Sequence, residues 1–173
     1  MAQTLTATAK DLQHAMREIV WSIETRNDTL EDLVTFVDQR AESLFHQAGI
    51  RCLQEAPDSL PEIRLPLDVR NHVSYSIREA LNNVLKHSKA TEVLIRVTAN
   101  PPELVFTIED NGVGFNMNEV RGGGRGLANL ADRMRLAGGR FSMESRPSAG
   151  TKVTLRLRIA DWSLGSASPP HAG

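Results

Sequence analysis

The chain has 173 residues, of which 40% are hydrophobic, and it carries a formal net charge of −1 with a pI near 6.5. This length suits one domain with a hydrophobic core plus a short appendage. The near-neutral charge excludes the strong electrostatic field by which proteins bind nucleic acid or anionic lipid. The single cysteine, Cys52, excludes an internal disulfide, and the sequence shows neither a signal peptide nor an apolar run long enough to cross a membrane. We therefore expect a cytoplasmic chain that makes no membrane contact, and any membrane anchor of the full-length protein would lie outside this sequence.

The first predicted element is a helix whose apolar residues recur at spacings of four, three and four positions. These residues are Leu12, Met16, Ile19 and Ile23. Such a narrow apolar seam is typical of helices that pair in a bundle or a coiled coil. The seam therefore predicts a helix that packs against other helices and is interrupted at residues 26–28.

The second predicted helix begins after Asp28, which we expect to be the N-cap, with Glu31 three residues later as in a capping box. Gly49 is expected to end this helix, because glycine readily adopts the left-handed conformation found there. Its wide apolar face is predicted to consist of Leu30, Leu33, Val34, Val37, Ala41, Leu44, Phe45 and Ala48. Residues 50–55 then alternate as a strand, in which Cys52 is predicted to be a buried thiol.

The third predicted helix starts with Pro66 at its favoured first position and runs to about residue 88. Its core stripe is predicted to be Val73, Ile77, Leu81, Val84 and Leu85. Strands are predicted at residues 92–99, 103–108, 140–145 and 151–159. A fourth helix between the second and third of these strands is predicted from Leu127, Leu130, Met134 and Ala137. Helices before and between strands, with a final hairpin, predict an α+β two-layer sandwich whose single sheet carries its helices on one face.

The third helix also carries a polar stripe, on the side opposite its core stripe. The stripe consists of Glu79, Asn83, Lys86 and His87. An ordinary solvated helix face would give the same pattern. Asparagine in the middle of a helix lowers helix propensity, however, and its presence favours a use for its side chain. A glutamate and an asparagine oxygen one turn apart can bind Mg²⁺ or its water shell, and a lysine can bind phosphate.

A glycine-rich segment follows the strand at residues 103–108 and leads into the fourth helix. It contains six of the 12 glycines in the chain: Gly112, Gly114, Gly122, Gly123, Gly124 and Gly126. Glycine lets backbone N–H groups approach a ligand closely, and a helix N-terminus favours an anion. The segment therefore suits a phosphate-bearing ligand, although a mobile surface loop can have the same composition.

Four motifs follow one another along the chain: REALNNVLKHS at residues 78–88, EDNGVGF at 109–115, GGGRGLANL at 122–130 and AGTKVTL at 149–155. In this order and at these spacings they resemble the ATP-binding catalytic domain of sensor histidine kinases, which belongs to the GHKL superfamily with the Bergerat fold. The chain is most similar to the subfamily with a short ATP lid, such as the nitrate and membrane-fluidity sensors. The resemblance covers roughly residues 28–159 and implies a mixed sheet covered by helices on one face.

The resemblance implies a role for each residue of the polar stripe, with ATP and Mg²⁺ as the bound species. Asn83 would coordinate the Mg²⁺ ion that bridges the phosphates. Glu79 holds the acidic position that orients or deprotonates a nucleophile in related ATPases, and Lys86 would reach phosphate. His87 lies where an aromatic ring commonly packs near adenine.

The resemblance likewise implies how the glycine-rich segment and the last motif bind the nucleotide. Asp110 would accept a hydrogen bond from the adenine amino group, and Gly112 and Gly114 would let the chain pass under the base. A buried carboxylate at this position selects adenine over guanine, whose carbonyl would oppose a second acceptor. Thr151 would complete the hydrogen bonding at the adenine side. The second glycine box, whose N–H groups would meet the phosphates, is implied to be Gly124, Gly126 and Leu127.

The family's phosphoacceptor motif, a box resembling E-L-H-D, is missing from this sequence. His14 lacks the acidic residue that should follow it, and we expect it to be an ordinary helix-surface residue. The sequence around it resembles the junction between a dimerisation helix and an ATP-binding domain. We therefore assign residues 1–26 to the end of the dimerisation helix and the junction, residues 27–160 to the ATP-binding domain, and residues 161–173 to a disordered tail.

The resemblance implies a catalytic domain that transfers the γ-phosphoryl group of ATP to a histidine on a dimerisation domain missing from this chain, with a response regulator as a further partner. Full-length kinases of this kind are homodimers, and the seam helix alone is compatible with a monomeric chain. The alternative is an anti-sigma-factor-type serine kinase of the same superfamily, which shares the ATP site. A non-catalytic nucleotide-responsive module is a further alternative, whereas an ATP-driven clamp needs a transducer domain for which 173 residues leave no room.

Overall fold

The computed structural model of the protein describes residues 28–117 and 125–159. The predicted seam helix, His14, the predicted tail and Gly122, Gly123 and Gly124 lie outside these ranges. Within them, no helix is long and apolar enough to cross a membrane.

The described residues form three α-helices, a short π-helix and five strands. In chain order these are α1 (Leu30–Ala48), β1 (Arg51–Glu55), α2 (Leu67–Asn83), the π-helix (Val84–Ser88), β2 (Glu92–Asn100), β3 (Glu103–Asp110), α3 (Arg125–Leu136), β4 (Arg140–Ser145) and β5 (Thr151–Arg158). Each corresponds to a predicted helix or strand, apart from the π-helix, which the sequence pattern predicts as a continuation of α2.

The five strands form one mixed sheet in the order β1-β2-β3-β5-β4. β1 runs parallel to β2, and the other neighbouring pairs are antiparallel. One face packs against the helices, as the burial of alternate residues of β2 shows: Val93, Ile95 and Val97. The predicted α+β sandwich with a mixed sheet is therefore confirmed.

The opposite face of the sheet is polar and carries ion pairs between neighbouring strands. They are Arg51–Glu92, Arg96–Glu55, Lys152–Glu109 and Arg156–Glu103. Because the charged groups of these pairs are substantially exposed, each pair contributes little to stability. The charged side chains keep this face of the sheet hydrated, so the helices pack only against the opposite, apolar face.

The start of α1 differs from the prediction. Thr29, and not Asp28, is the N-cap: its Oγ1 accepts a hydrogen bond from the Asp32 N–H at 3.1 Å, and an Asp32 carboxylate oxygen accepts one from the Thr29 N–H at 3.1 Å. Thr29 pairs with Arg64 in an isolated β-bridge, which holds Thr29 in the extended conformation of a cap. Asp28 instead pairs with the Arg64 guanidinium at 2.7 Å. Gly49 ends the helix in the left-handed conformation, as predicted.

Four predicted burial or boundary assignments are wrong in detail. Leu85 is 38% exposed, because the wider turn of the π-helix takes it off the core stripe of α2. Ala48, the last residue of α1, is also exposed. Pro66 is the N-cap of α2 and not its first helical residue. Cys52 lies in β1 as predicted but is only half-buried, because β1 is an edge strand.

Candidate functional site

A cavity of about 450 Å³ opens between the polar side of α2 and the end of the sheet from which the glycine-rich segment leaves. This volume lies within the range of small-molecule sites. Its walls include ten of the residues predicted from the sequence: Glu79, Asn83, Lys86, His87, Asp110, Gly114, Gly126, Leu127 and Thr151 from the implied site, and Val84 from the core stripe. The polar stripe is therefore one wall of a cavity and not a freely solvated helix face.

The helical wall of the cavity presents its polar residues in two groups. Glu79 and Asn83 lie one turn apart on α2 and are half-buried. Lys86 and His87 lie on the π-helix and are exposed. Such single-turn π-helices often occur at functional sites. The half-buried pair can hold a ligand group in place, whereas the two exposed residues line the solvent side of the cavity.

Asp110, the last residue of β3, is the buried acidic group of the site, with 5% of its surface exposed. Its Oδ1 accepts a hydrogen bond from the Gly112 N–H at 2.8 Å. This bond is the Asx-turn that Asp-Asn-Gly sequences favour, so Asp110 both fixes the turn and lines the cavity. Burial raises the pKa of the carboxyl group, and hydrogen bonds from the backbone N–H groups of Gly112 and Thr151 oppose the rise.

Close backbone approach explains two of the predicted glycines. A Cβ atom at Gly112 would lie 2.1 Å from the Ser88 carbonyl oxygen, and the next residue, Val113, donates its N–H to that oxygen at 2.7 Å. Gly114 has a φ of +56°, and a Cβ there would lie 2.0 Å from the Arg146 carbonyl oxygen. The glycine-rich segment is therefore packed against the π-helix at one point and against the β4–β5 turn at another.

Gly126 brings the first turn of α3 against α2. A Cβ atom at this position would lie 2.8 Å from Glu79 Oε1. A second contact between the same helices is Tyr75 of α2, whose ring lies 4.5 Å from the Arg78 guanidinium and 5.0 Å from that of Arg133 on α3. α3 therefore starts directly beside the acidic group of α2. Gly124, the other predicted glycine of this box, lies outside the described residues.

Two residues beside the cavity wall, Gly150 and Ser145, shape the site and were not among the predicted ones. Gly150 has a φ of +72°, and a Cβ atom there would lie 1.8 Å from the Asp110 carbonyl oxygen, so the turn before Thr151 requires glycine. The Ser145 hydroxyl lies 2.9 Å from the Thr151 hydroxyl. Gly150 could have been found from its place beside Thr151, but a serine at the end of a strand has no distinctive sequence signal.

The described residues contain no group of three or more His, Cys, Asp or Glu side chains arranged to hold a metal ion. The cavity does offer Glu79 and Asn83, whose oxygen atoms suit a hard cation. This donor set fits Mg²⁺ that keeps several waters and takes its remaining ligands from a phosphate-bearing molecule. It does not fit an ion held by protein side chains alone.

Residues 68–161 match the family described as histidine kinase-, DNA gyrase B-, and HSP90-like ATPase. An uncharacterised sensor-like histidine kinase of Chloroflexus aurantiacus is 29% identical over 161 residues, which cover 90% of this chain and 27% of that protein. The sensor protein VraS of Staphylococcus saprophyticus is 33% identical over 100 residues, or 58% of this chain and 29% of that protein. The chain thus spans less than a third of the length of these relatives.

Among solved structures, the fold resembles the histidine kinase domain of the blue-light activated histidine kinase of Erythrobacter litoralis. The TM-score is 0.62 at 18% sequence identity, over 74% of this chain and 61% of that one. At this identity the likeness concerns the fold alone, and it agrees with the mixed sheet and helices described above.

Proposed function

Because the chain belongs to the histidine kinase-, DNA gyrase B- and HSP90-like ATPase family, we propose that it is the ATP-binding catalytic domain of a two-component sensor histidine kinase. It transfers the γ-phosphoryl group of ATP to a histidine on the kinase's dimerisation domain. One observation carries the proposal: a single cavity is lined by Glu79 and Asn83 at one side and by Asp110 and Thr151 at the other.

The adenine base occupies the Asp110 end of the cavity in this proposal. Asp110 is buried, and its carboxylate has oxygen lone pairs beyond those that accept the Gly112 and Thr151 N–H groups. A buried acceptor without a donor costs free energy, and the exocyclic amine of adenine supplies a donor. Apolar side chains from the sheet, Ile108, Met143 and Val153, line the same cavity and suit the faces of a purine ring.

The phosphates occupy the end formed by α2 and the start of α3. Asn83 binds the Mg²⁺ ion, and Glu79 orients or deprotonates the nucleophile. Lys86 reaches a phosphate, and the backbone at Gly126 and Leu127, at the positive end of the α3 dipole, faces the same charge. When bound, Mg²⁺ would neutralise part of the phosphate charge. Beyond this, phosphoryl transfer requires mainly that the protein hold the phosphates and the nucleophile in position.

The proposal also covers the other residues implied for the site, the limits of the domain and its protein partners. His87 packs near the adenine, Gly112 and Gly114 let the chain pass under it, and Gly124 belongs to the phosphate-binding box. Residues 27–160 form the catalytic domain, with the end of a dimerisation helix before it and a tail after it. The activity requires ATP and therefore a cytoplasmic location. Its protein partners are the dimerisation domain of the homodimeric kinase and a response regulator.

The experiment that tests the proposal supplies the missing substrate. The chain is incubated with Mg²⁺, γ-labelled ATP and a separately purified dimerisation domain that carries a phosphoacceptor histidine. We expect label on that domain in the acid-labile, alkali-stable form of phosphohistidine, and none when EDTA removes the Mg²⁺. A dimerisation domain whose phosphoacceptor histidine is replaced by alanine is the control for the site of transfer.

Two outcomes would contradict the proposal. Transfer of label to a serine or threonine of a protein substrate would favour the anti-sigma-factor-type serine kinase. ATP binding with no transfer to any supplied histidine domain, including the domain from the chain's own full-length protein, would favour a non-catalytic nucleotide-responsive module.

A further inference from the structure

Three polar residues form a row across the end of the sheet. In the strand register Asp110 of β3 lies opposite Thr151 of β5, and Thr151 lies opposite Ser145 of β4. Residues directly opposite each other point to the same face, with Cβ atoms about 4.5–5.5 Å apart. Asp110 and Thr151 both line the cavity. Ser145 is therefore the outer member of a row whose inner members face the cavity.

Ser145 also connects the three chain segments that surround this end of the cavity. Its Oγ accepts the N–H of Phe115, in the glycine-rich segment, at 3.0 Å. It donates to the carbonyl oxygen of Gly150, in the β4–β5 turn, at 2.9 Å. Its third partner is the Thr151 hydroxyl, also at 2.9 Å.

A count of protons fixes the direction of that third hydrogen bond. A serine hydroxyl has one proton and two acceptor lone pairs. The Gly150 carbonyl can only accept, so the Ser145 proton is used there. The Thr151 hydroxyl must then donate its own proton to Ser145, and its oxygen keeps lone pairs but no proton for the ligand.

We infer that Ser145 is a positioning residue that makes Thr151 an acceptor, so that Asp110 and Thr151 present two neighbouring hydrogen-bond acceptors to the purine. The inference rests on the proposed function, because it concerns how the same cavity chooses its base. The exocyclic amine at C6 of adenine has two protons and can donate one to each acceptor. Inosine has an oxo group at C6, which offers no donor, and its one ring N–H lies in a different position.

The test compares ATP with inosine triphosphate, which differs from ATP only in the purine base. Affinities are measured by calorimetry with Mg²⁺ for the wild-type chain and for Ser145→Ala, in which the Thr151 hydroxyl can rotate and donate. We expect Ser145→Ala to weaken ATP binding about three- to tenfold and inosine triphosphate binding by less than about twofold, so that selectivity for ATP falls about threefold or more. Ser145→Thr keeps the hydroxyl and is expected to restore the wild-type selectivity.

Matched variants separate this role from a general effect on folding. Ser142→Ala removes an exposed hydroxyl from the opposite face of the same strand and should leave both affinities unchanged. Thr151→Val removes the same acceptor directly, so it should lower the selectivity for ATP over inosine triphosphate as Ser145→Ala does. The double variant should lower this selectivity no further than either single variant. Hydrogen exchange at the Phe115 amide, which loses its acceptor in Ser145→Ala, should become faster without any nucleotide.

Equal losses of affinity for the two nucleotides in Ser145→Ala, or no loss, would overturn the inference and leave the ATP site standing. A loss of ATP selectivity in the double variant equal to the sum of the two single losses would also overturn the inference. Failure of the wild-type chain to bind ATP would instead overturn the proposed function, and the inference with it.

Discussion

Replacing Asp110 with asparagine should weaken nucleotide binding without lowering folding stability at neutral pH. Burial is the largest influence on this carboxyl group and raises its pKa above the ordinary 3.8, in spite of two backbone hydrogen bonds that lower it. The folded state therefore binds a proton more readily than the unfolded state does. By linkage, this group contributes a stability that falls as the pH rises from 3.8 through the raised pKa, and at neutral pH the ionised carboxylate destabilises the fold.

The asparagine side chain of the variant has no charge to desolvate, and its oxygen can still accept the Gly112 N–H. We expect the free energy of unfolding of Asp110→Asn at pH 7 to equal or exceed that of the wild type, and its pH dependence above 3.8 to be flatter. ATP binding should weaken by about 1–3 kcal/mol, or roughly five- to 150-fold, because an amide N–H₂ would oppose the adenine amine and leave a buried donor unpaired.

The assays are urea unfolding between pH 4 and pH 8, by about one-unit steps, and calorimetric titration with ATP. Glu109→Gln is the matched control: it removes the same charge one residue earlier, on the exposed face, where Glu109 pairs with Lys152 at 3.7 Å. It should change neither quantity appreciably. A variant Asp110→Asn that is less stable at pH 7 but binds ATP normally would refute the reasoning, since Asp110 would then be a structural turn residue only.

Three further outcomes are expected. Asn83→Ala should weaken Mg²⁺-dependent ATP binding at least about tenfold in calorimetry. Asn82→Ala, beside it on α2 but outside the cavity wall, should leave this affinity unchanged. Equal losses of affinity in the two variants would argue against Asn83 as the Mg²⁺ ligand. Burial, with smaller contributions from the Asp38 and Glu42 carboxylates, raises the pKa of the Cys52 thiol from 9.0 to about 11. Iodoacetamide at a pH of about 8.5 should therefore alkylate it at least about tenfold more slowly than in the urea-unfolded chain. Lys89 has a φ of +52°, a conformation that favours glycine. Lys89→Gly should therefore raise the free energy of unfolding, measured in urea, by about 0.5 kcal/mol. A decrease would show that the lysine side chain stabilises this turn.

Local patterns in the sequence were enough to predict the helices and strands and one wall of the cavity. The positions of Glu79 and Asn83 on one side of α2 follow from helical periodicity, which depends only on neighbouring residues. The same reasoning failed at Leu85, because a period of 3.6 residues carries no sign of a π-helix. It also failed at Thr29, whose capping role depends on a bridge to Arg64, 35 positions later in the chain.

The opposite wall of the cavity depends on strand register, which single-sequence patterns do not determine. The motif resemblance supplied Asp110 and Thr151, and the structure places them opposite each other on neighbouring strands. Ser145 was missed for a related reason. Its three hydrogen bonds reach Phe115, Gly150 and Thr151, and none of these partners is implied by the residues next to it in the sequence.

The π-helix has a consequence for how this domain tolerates changes in length. A π-turn is an α-helical turn that contains one additional residue. Deleting a single residue from Val84–Ser88 would restore regular α-helical winding and leave the later residues near their present orientation. Deleting one residue from the α-helical part, Leu67–Asn83, would instead turn the residues on its two sides by about 100° relative to each other, so that the core stripe of α2 and the Ser88 carbonyl, which accepts the Val113 N–H, could no longer both keep their places. The π-helix should therefore tolerate the loss of one residue better than the α-helix that precedes it.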